Sequence, residues 1–341
     1  VCRKTSWGLV TVCRYLALCL VTRGLWSLAL VLLVACSPRG AITYSPEAAL
    51  VGEVTPVFIG TTRVLAEGAF GQERSEEMRF ARFDVSIPPQ RTRGDINWPT
   101  RFEKPNPARH FLTTKEVLYP SNPDFRADLQ RNLAANGYEA VIFVHGYNNN
   151  FAEGVYRVAQ FSHDLEIPGA VVHYAWPSAA KPLGYVYDRD SALFARDGLE
   201  RLIDEVSEAG ARRILLVAHS MGSGLAMEAL RQAAIRGDQA ALGRIAGVIL
   251  ISPDVDVDVF RSQVSAIGVL PQPFLIFGSD RDRLLGLSAR LTGQRERLGL
   301  VAGMVDERLD LQMKHRREAA GGVLGFGLAV SAFRLLQHDI Q

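Results

Sequence analysis

Ile214-Leu215-Leu216-Val217-Ala218-His219-Ser220-Met221-Gly222 is the stretch that decides how this chain is read. Four apolar residues with the character of a buried strand run into a serine among small residues, and a helical pattern starts at once. A strand-to-helix turn this tight is a nucleophile elbow. It forces the serine to strained backbone angles, and bulky residues two positions away on either side would clash. The usual form is Gly-x-Ser-x-Gly, and Ala218 is the smallest departure from it.

Strands and helices alternate on both sides of this turn. Residues 57–59 and 78–87 read as the first strands, the second alternating in the manner of an edge hairpin. Residues 88–123 hold many prolines and little periodicity, so they read as a long ordered loop, followed by a short helix near 124–135. Strands are then expected at 140–144, 170–175, 214–218, 245–251 and 274–277. The helices between and after them are expected at 151–165, 191–208, 221–236, 257–264 and 284–291. Continuous apolar strands alternating with helices specify a mostly parallel sheet, here of about eight strands, covered by helices on both faces. Between Asp254 and Phe274 there is no insertion large enough for a lid domain.

A serine hydroxyl is a poor nucleophile until a base takes its proton, and the base needs an acid to orient it. The developing oxyanion needs donors, each worth about 3 kcal/mol. His145-Gly146-Tyr147 closes the third strand of this count. In the layout to which such an elbow belongs, the loop after that strand supplies one oxyanion N–H and the residue after the nucleophile the other. Tyr147 and Met221 are therefore the expected backbone donors. The base comes last in this layout, so His145 reads as structural, and His219 as a packing or loop-anchoring residue. The acid should follow a late strand. Phe274-Leu275-Ile276-Phe277-Gly278-Ser279-Asp280-Arg281-Asp282 offers Asp282 first and Asp280 second, with Asp254 in Ile251-Ser252-Pro253-Asp254 as a third. Only His315 and His338 lie downstream of Asp282. His315 sits among Lys314, Arg316 and Arg317, whose charge would depress the pKa of a base. His338 follows the apolar residues 323–330, which read as a last strand, and is the favoured base. No metal-ligand spacing appears and no cofactor is expected. The glycines of 322–327 resemble a phosphate loop only loosely and read as packing at a strand. Trp98 and Trp176, each followed by proline, fit either a pocket lining or a rigid loop corner.

The 341 residues suffice for one large α/β domain. The 38 Lys and Arg against 36 Asp and Glu become 34 against 36 once Arg3, Lys4, Arg14 and Arg23 of the leader are removed, so nothing suggests a nucleic-acid surface. All four cysteines, Cys2, Cys13, Cys19 and Cys36, fall in the first tenth of the chain. The body therefore has no internal disulfide, cysteine metal site or cysteine nucleophile. Residues 21–36 carry a short basic segment, an apolar core and a small residue before Cys36, the parts of a secretory signal. Leu33-Val34-Ala35-Cys36 resembles a bacterial lipobox, which implies Cys36 as an acylated first mature residue. Residues 1–35 are thus expected to be a lipoprotein-type signal peptide, with 1–20 an upstream mis-called start. Residues 36–55 would be a tether and 56–341 the domain.

Taken together, these stretches resemble a family, the uncharacterised α/β-hydrolases of bacteria, many with lipoprotein signals. The shared segments are Val57-Phe-Ile-Gly-Thr-Thr-Arg63, Val85-Ser-Ile-Pro-Pro89, Gly94-Asp-Ile-Asn-Trp-Pro99 and Phe143-Val-His-Gly-Tyr-Asn-Asn-Asn-Phe151. They continue with Ala175-Trp-Pro-Ser178, Tyr187-Asp-Arg-Asp-Ser-Ala192, Ala218-His-Ser-Met-Gly222 and Pro253-Asp-Val-Asp-Val-Asp-Val-Phe260. The resemblance implies the α/β-hydrolase fold, accepts alanine at 218 and puts an acid at Asp282. The family itself names no substrate; with the lipobox and the elbow, the expectation is a membrane-anchored lipoprotein on the periplasmic side of the cell envelope that hydrolyses a small-molecule acyl ester through an acyl-enzyme. The family pattern of a final strand, short loop and histidine has no match after about Val305. That departure motivates the alternative of a catalytically inactive scaffold with a binding role.

Overall fold

The computed structural model describes residues 39–100, 102–278 and 298. A long hairpin comes first, β1 (Glu53–Ala66) and β2 (Ala69–Ile87), then β3 (Leu112–Tyr119) and α1 (Asn122–Ala135). The alternating part follows as β4 (Glu139–Val144), α2 (Phe151–Asp164), β5 (Ala170–Tyr174), α3 (Tyr185–Phe194), α4 (Arg196–Glu208), β6 (Arg213–His219) and α5 (Met221–Arg236). It ends, among the described residues, with α6 (Gln239–Arg244), β7 (Ile245–Ile251), α7 (Val257–Ile267) and β8 (Phe274–Phe277).

The eight strands form one sheet in the order β3-β2-β1-β5-β4-β6-β7-β8. From β1 to β8 all neighbours are parallel, and only β2 runs against the rest. β5 is buried at every residue and β4 at all but its first, the pattern of a parallel sheet covered on both faces. Successive side chains alternate between two cores. Ile142, Val172, Leu216 and Leu250 face a layer made by α1, α4, α5 and α7. Val141, Phe143, Val171, Val217 and Ile249 face α2 on the other side. The fold is the expected α/β-hydrolase arrangement.

Several expected elements differ from those observed. The 88–123 loop contains a strand, β3, which Thr113, Thr114, Lys115 and Glu116 make too polar to show in an apolar count; an edge strand needs only one buried side. Because β3 caps the sheet, β2 is an interior strand and the strand ending before His145 is the fourth, not the third. The single helix expected at 191–208 is two, broken at Ala195, whose carbonyl accepts the buried hydroxyl of Tyr174. Gly198 makes room for that hydroxyl, since a Cβ there would lie 2.3 Å from it. Of the expected tether 36–55, residues 40–52 lie on the domain, and β1 begins before residue 56. Thr43 N–H donates to the Tyr156 hydroxyl at 3.1 Å, Ser45 N–H to Thr113 O at 2.9 Å, and Ala48 is fully buried under a bond from Ser86 Oγ. The irregular chain after β2 is held by Asp164, which accepts from Arg91, Gln160 Nε2 and Gly94 N–H. Burial opposes its charge, but these donors outweigh burial and hold the Asp164 carboxyl well below the usual carboxylate range.

Candidate active site

β6 ends at His219 and α5 begins at Met221, so the turn between them is Ser220 alone. Its φ of 51° and ψ of −123° put it in a left-handed region where a non-glycine residue is strained by about 1–3 kcal/mol. Ser220 stands at the N-cap of α5, yet its side chain makes no capping bond to that helix. Two glycines make the turn possible. A Cβ on Gly222 would lie 2.4 Å from His145 O and 2.8 Å from Val144 O, so only glycine lets α5 start this close to β4. A Cβ on Gly146 would lie 2.9 Å from Ser220 Cβ and 2.8 Å from His219 Nδ1. The loop after β4 thus touches the serine at Gly146, the residue before the expected donor Tyr147, and the other expected donor, Met221, directly follows the serine. Ser220 N–H donates to Ile251 O at 2.9 Å, so the next amide, Met221, is the first helical N–H facing the turn. The first N–H groups of a helix have no intrahelical acceptor and carry its positive end, a fitting environment for an oxyanion.

Asp254 lies beside the serine. Its N–H donates to Ser220 O at 3.2 Å, and its carboxylate accepts the Tyr185 hydroxyl at 2.9 Å. The Tyr185 ring meets Tyr147 edge-on at 5.6 Å, and the Tyr147 hydroxyl donates to the carbonyls of Lys181 and Pro182. Tyr147, Tyr185 and Asp254 therefore form one half-buried wall next to the elbow. Asp280, Asp282, His315, His338 and Cys36, as well as the helix expected at 284–291, lie outside the described residues.

His145 is buried, stacked on Trp176 at 4.7 Å, with its ring nitrogens 2.9 Å from Gly146 O and 3.0 Å from Trp176 O. Burial, then the neighbouring His173 and Arg63, push its pKa well below the ordinary histidine value, and the ring is a buried structural support. Trp176 is fully buried and donates to His145 O, a rigid corner and not a pocket lining. Trp98 instead lines a separate polar cleft of about 510 Å³ with Arg91, Asn97, Arg109 and His110. Among the described residues no group of three His, Cys, Asp or Glu is placed to hold a metal ion.

Three site residues escaped the reading of the sequence. Arg63 is fully buried at an irregularity between β1 and β2, and its guanidinium donates to Gly71 O, Ser178 O and Asn149 O. Burial lowers its pKa to about 10, with Asp188 as the leading opposing charge, so the cation persists at neutral pH. Asp188, also fully buried, accepts from Asn148 N–H at 3.0 Å, Ala179 N–H at 2.6 Å and Ser178 Oγ at 2.6 Å. The available signal was their place in the shared segments, Arg63 closing 57–63 and Asp188 within 187–192. Tyr185 had none.

A strained serine between a parallel strand and a helix, with a glycine loop from the neighbouring strand against it, defines the hydrolase class of α/β protein. A family model described as alpha/beta hydrolase of unknown function (DUF900) matches residues 121–320, and the chain belongs to that family. The match includes Ser220, Asp254, Asp282 and His315 and stops before His338. No curated protein matches the chain. Among solved structures, it resembles Trichoderma reesei cutinase in complex with a C11Y4 phosphonate inhibitor, at 13% identity over 64% of this chain and 90% of that one, with a TM-score of 0.32. It also resembles the esterase Est2 of Thermogutta terrifontis, at 13% identity over 81% of this chain and 95% of that one, with a TM-score of 0.29. At these scores neither likeness bears on the activity.

Proposed function

We propose that the protein is a serine hydrolase of carboxylic esters. The observation that carries this reading is Ser220 at φ 51° with the Gly146 loop pressed against it. Ser220 Oγ attacks the ester carbonyl while a histidine takes its proton. The tetrahedral oxyanion faces the N–H groups of Tyr147 and Met221. The C–O bond to the alcohol breaks and the histidine returns the proton to it. Water, deprotonated by the same histidine, then hydrolyses the acyl-enzyme to the carboxylic acid and free serine. The base is His338, with His315 as the alternative, and the orienting acid is Asp282, with Asp280 and Asp254 behind it. The crossover from β7 to β8 holds only the eleven-residue α7, which supports an open site for a short, soluble acyl ester. The Leu33-Val34-Ala35-Cys36 sequence supports acylation at Cys36 and an envelope location. Among the described residues no helix is long and apolar enough to cross a membrane.

The test is fluorophosphonate labelling of the full chain beside its Ser220→Ala variant. Labelling that vanishes in the variant is expected. A folded wild-type protein that does not label refutes the enzyme and leaves the inactive scaffold, which is motivated by the departure of the sequence after about Val305 from the family's closing strand, loop and histidine, although the family model extends to residue 320. Activity confined to emulsified triglyceride would refute the short soluble substrate.

A further inference from the structure

The loop that follows Tyr147 is fixed at consecutive backbone groups by two buried charges that do not reach the serine. Asn148 N–H donates to Asp188 Oδ2 at 3.0 Å. Asn149 N–H donates to Ser178 Oγ at 3.2 Å, and that hydroxyl in turn donates to Asp188 at 2.6 Å. Asn149 O accepts from Arg63 Nη2 at 3.1 Å. The second loop is gripped by the same pair. Ser178 O accepts from Arg63 Nη1 at 3.3 Å, and Ala179 N–H donates to Asp188 Oδ1 at 2.6 Å. The chain passes through these contacts with Asn148 at φ 59°, a left-handed conformation that asparagine tolerates better than most residues. The register of β1 against β2 shifts on both sides of Arg63, and a bulge is a common device for re-aiming a side chain next to a site.

We propose that Arg63 and Asp188 are positioning residues that clamp the 147–149 loop, and so hold the Tyr147 N–H where the oxyanion forms. This rests on the serine-hydrolase reading for its catalytic consequence, not for the clamp itself. A buried arginine and a buried aspartate could each simply stabilise the fold, but that role does not require both to end on the backbone of one short loop. Oxyanion donors act through placement, and a displacement of about 1 Å is enough to cost on the order of a hundredfold in rate. The clamp should therefore be visible in kcat and leave KM nearly unchanged.

The experiment uses the full chain with Asp188→Asn, Arg63→Lys and the milder Ser178→Ala. Amide hydrogen exchange is read residue by residue, together with fluorophosphonate labelling and hydrolysis of p-nitrophenyl butyrate. In Asp188→Asn, exchange at Asn148 and Ala179 should rise at least about tenfold while β6 and β7 stay protected. Labelling and kcat should fall roughly 10- to 100-fold with KM within about twofold. Ser178→Ala keeps both charges and is expected to fold. It should expose the amides of Asn149 and Ala180, which donate to that hydroxyl, and leave Asn148 protected. Unchanged exchange at 148 and 149 in all folded variants overturns the clamp. So does a fall in activity that only tracks the folded fraction. Absence of Ser220-dependent labelling in the wild type would sink the hydrolase reading by itself, and the exchange pattern would still decide the clamp.

Discussion

Two glycines in the first turn of α5, Gly222 and Gly224, should respond oppositely to alanine. A Cβ at Gly222 would meet two backbone oxygens, His145 O at 2.4 Å and Val144 O at 2.8 Å. An ordinary carbon–oxygen contact is roughly 3.3 Å or more, so α5 must retreat from β4 by roughly 0.9 Å. Overpacking of this kind costs about 1–3 kcal/mol, and obstruction by backbone places it near the upper end. Better helix propensity returns up to about 1 kcal/mol. The net loss is about 2 kcal/mol, or a Tm lower by roughly 3 °C for a domain of this size. The same retreat carries Met221 N–H away from the β4 loop, and about 1 Å of misplacement costs on the order of a hundredfold in rate. At Gly224 the nearest atom to an added Cβ is Val255 Cγ2 at 3.5 Å, an ordinary contact. Gly224→Ala should gain about 0.4–1 kcal/mol and keep full activity. Thermal unfolding followed by circular dichroism, with p-nitrophenyl butyrate turnover, measures both. If Gly222→Ala proves as stable and as active as Gly224→Ala, the account of the elbow as a glycine-dependent contact between α5 and β4 is wrong.

Four further outcomes are expected. Ser220→Gly should raise the Tm by roughly 2–4 °C, because glycine adopts positive φ freely and the 1–3 kcal/mol of strain outweighs its greater chain entropy; a Tm no higher than that of Ser220→Ala would count against stored strain. Burial lowers the His173 pKa to about 3, so its neutral form stabilises fully above the ordinary histidine value of 6.5, and that stability is lost as pH falls toward 3. Urea unfolding should show a loss between pH 6.5 and pH 5 that is smaller by about 2 kcal/mol in His173→Asn, the remainder coming from the likewise depressed His145. Asp164, held low, acts in a separate window: Asp164→Asn should cost about 3 kcal/mol at pH 7, and that difference should shrink only below about pH 4. Finally, labelling should be abolished by His338→Ala and retained by His315→Ala, and the reverse pattern would move the base to His315.

The apolar runs of β4, β6 and β7 were legible because parallel strands buried on both faces leave an uninterrupted signature, and β8 was legible from its own apolar run; the ends of all four agree with the structure to within a residue. α5 was legible at both ends for a similar reason, starting at a forced turn and stopping at Gly237 in the left-handed region. β3 was not, since an edge strand can pair through its backbone while its side chains stay polar. The break at Ala195 is imposed by a tertiary contact with Tyr174, which no local pattern announces. Within the site, residues that act through the backbone bend at Ser220 could be placed from the elbow alone. The role of the Arg63–Asp188 pair could not, because its partners in the loop are main-chain groups remote in sequence, Asn149 O 86 residues from Arg63 and Asn148 N–H 40 residues from Asp188, and a carbonyl or amide looks the same under every residue type.

The peptide groups on both sides of Ser220 are tied toward β7: its N–H to Ile251 O, and its C=O to Asp254 N–H. The two flanks of the elbow therefore have unequal freedom. On the β7 flank the main chain is stitched, and replacements there disturb the serine itself. On the β4 flank the serine packs on Gly146, which leads into the wall of Tyr147 and Tyr185. For an ester hydrolase read in this way, variation in acyl preference has the exposed segment 181–187 to draw on, since the backbone at 147–149 and 179 is held by Asp188 and Arg63. Libraries aimed at new esters are best confined to that segment, where shape can vary while the bend that exposes the nucleophile is inherited unchanged.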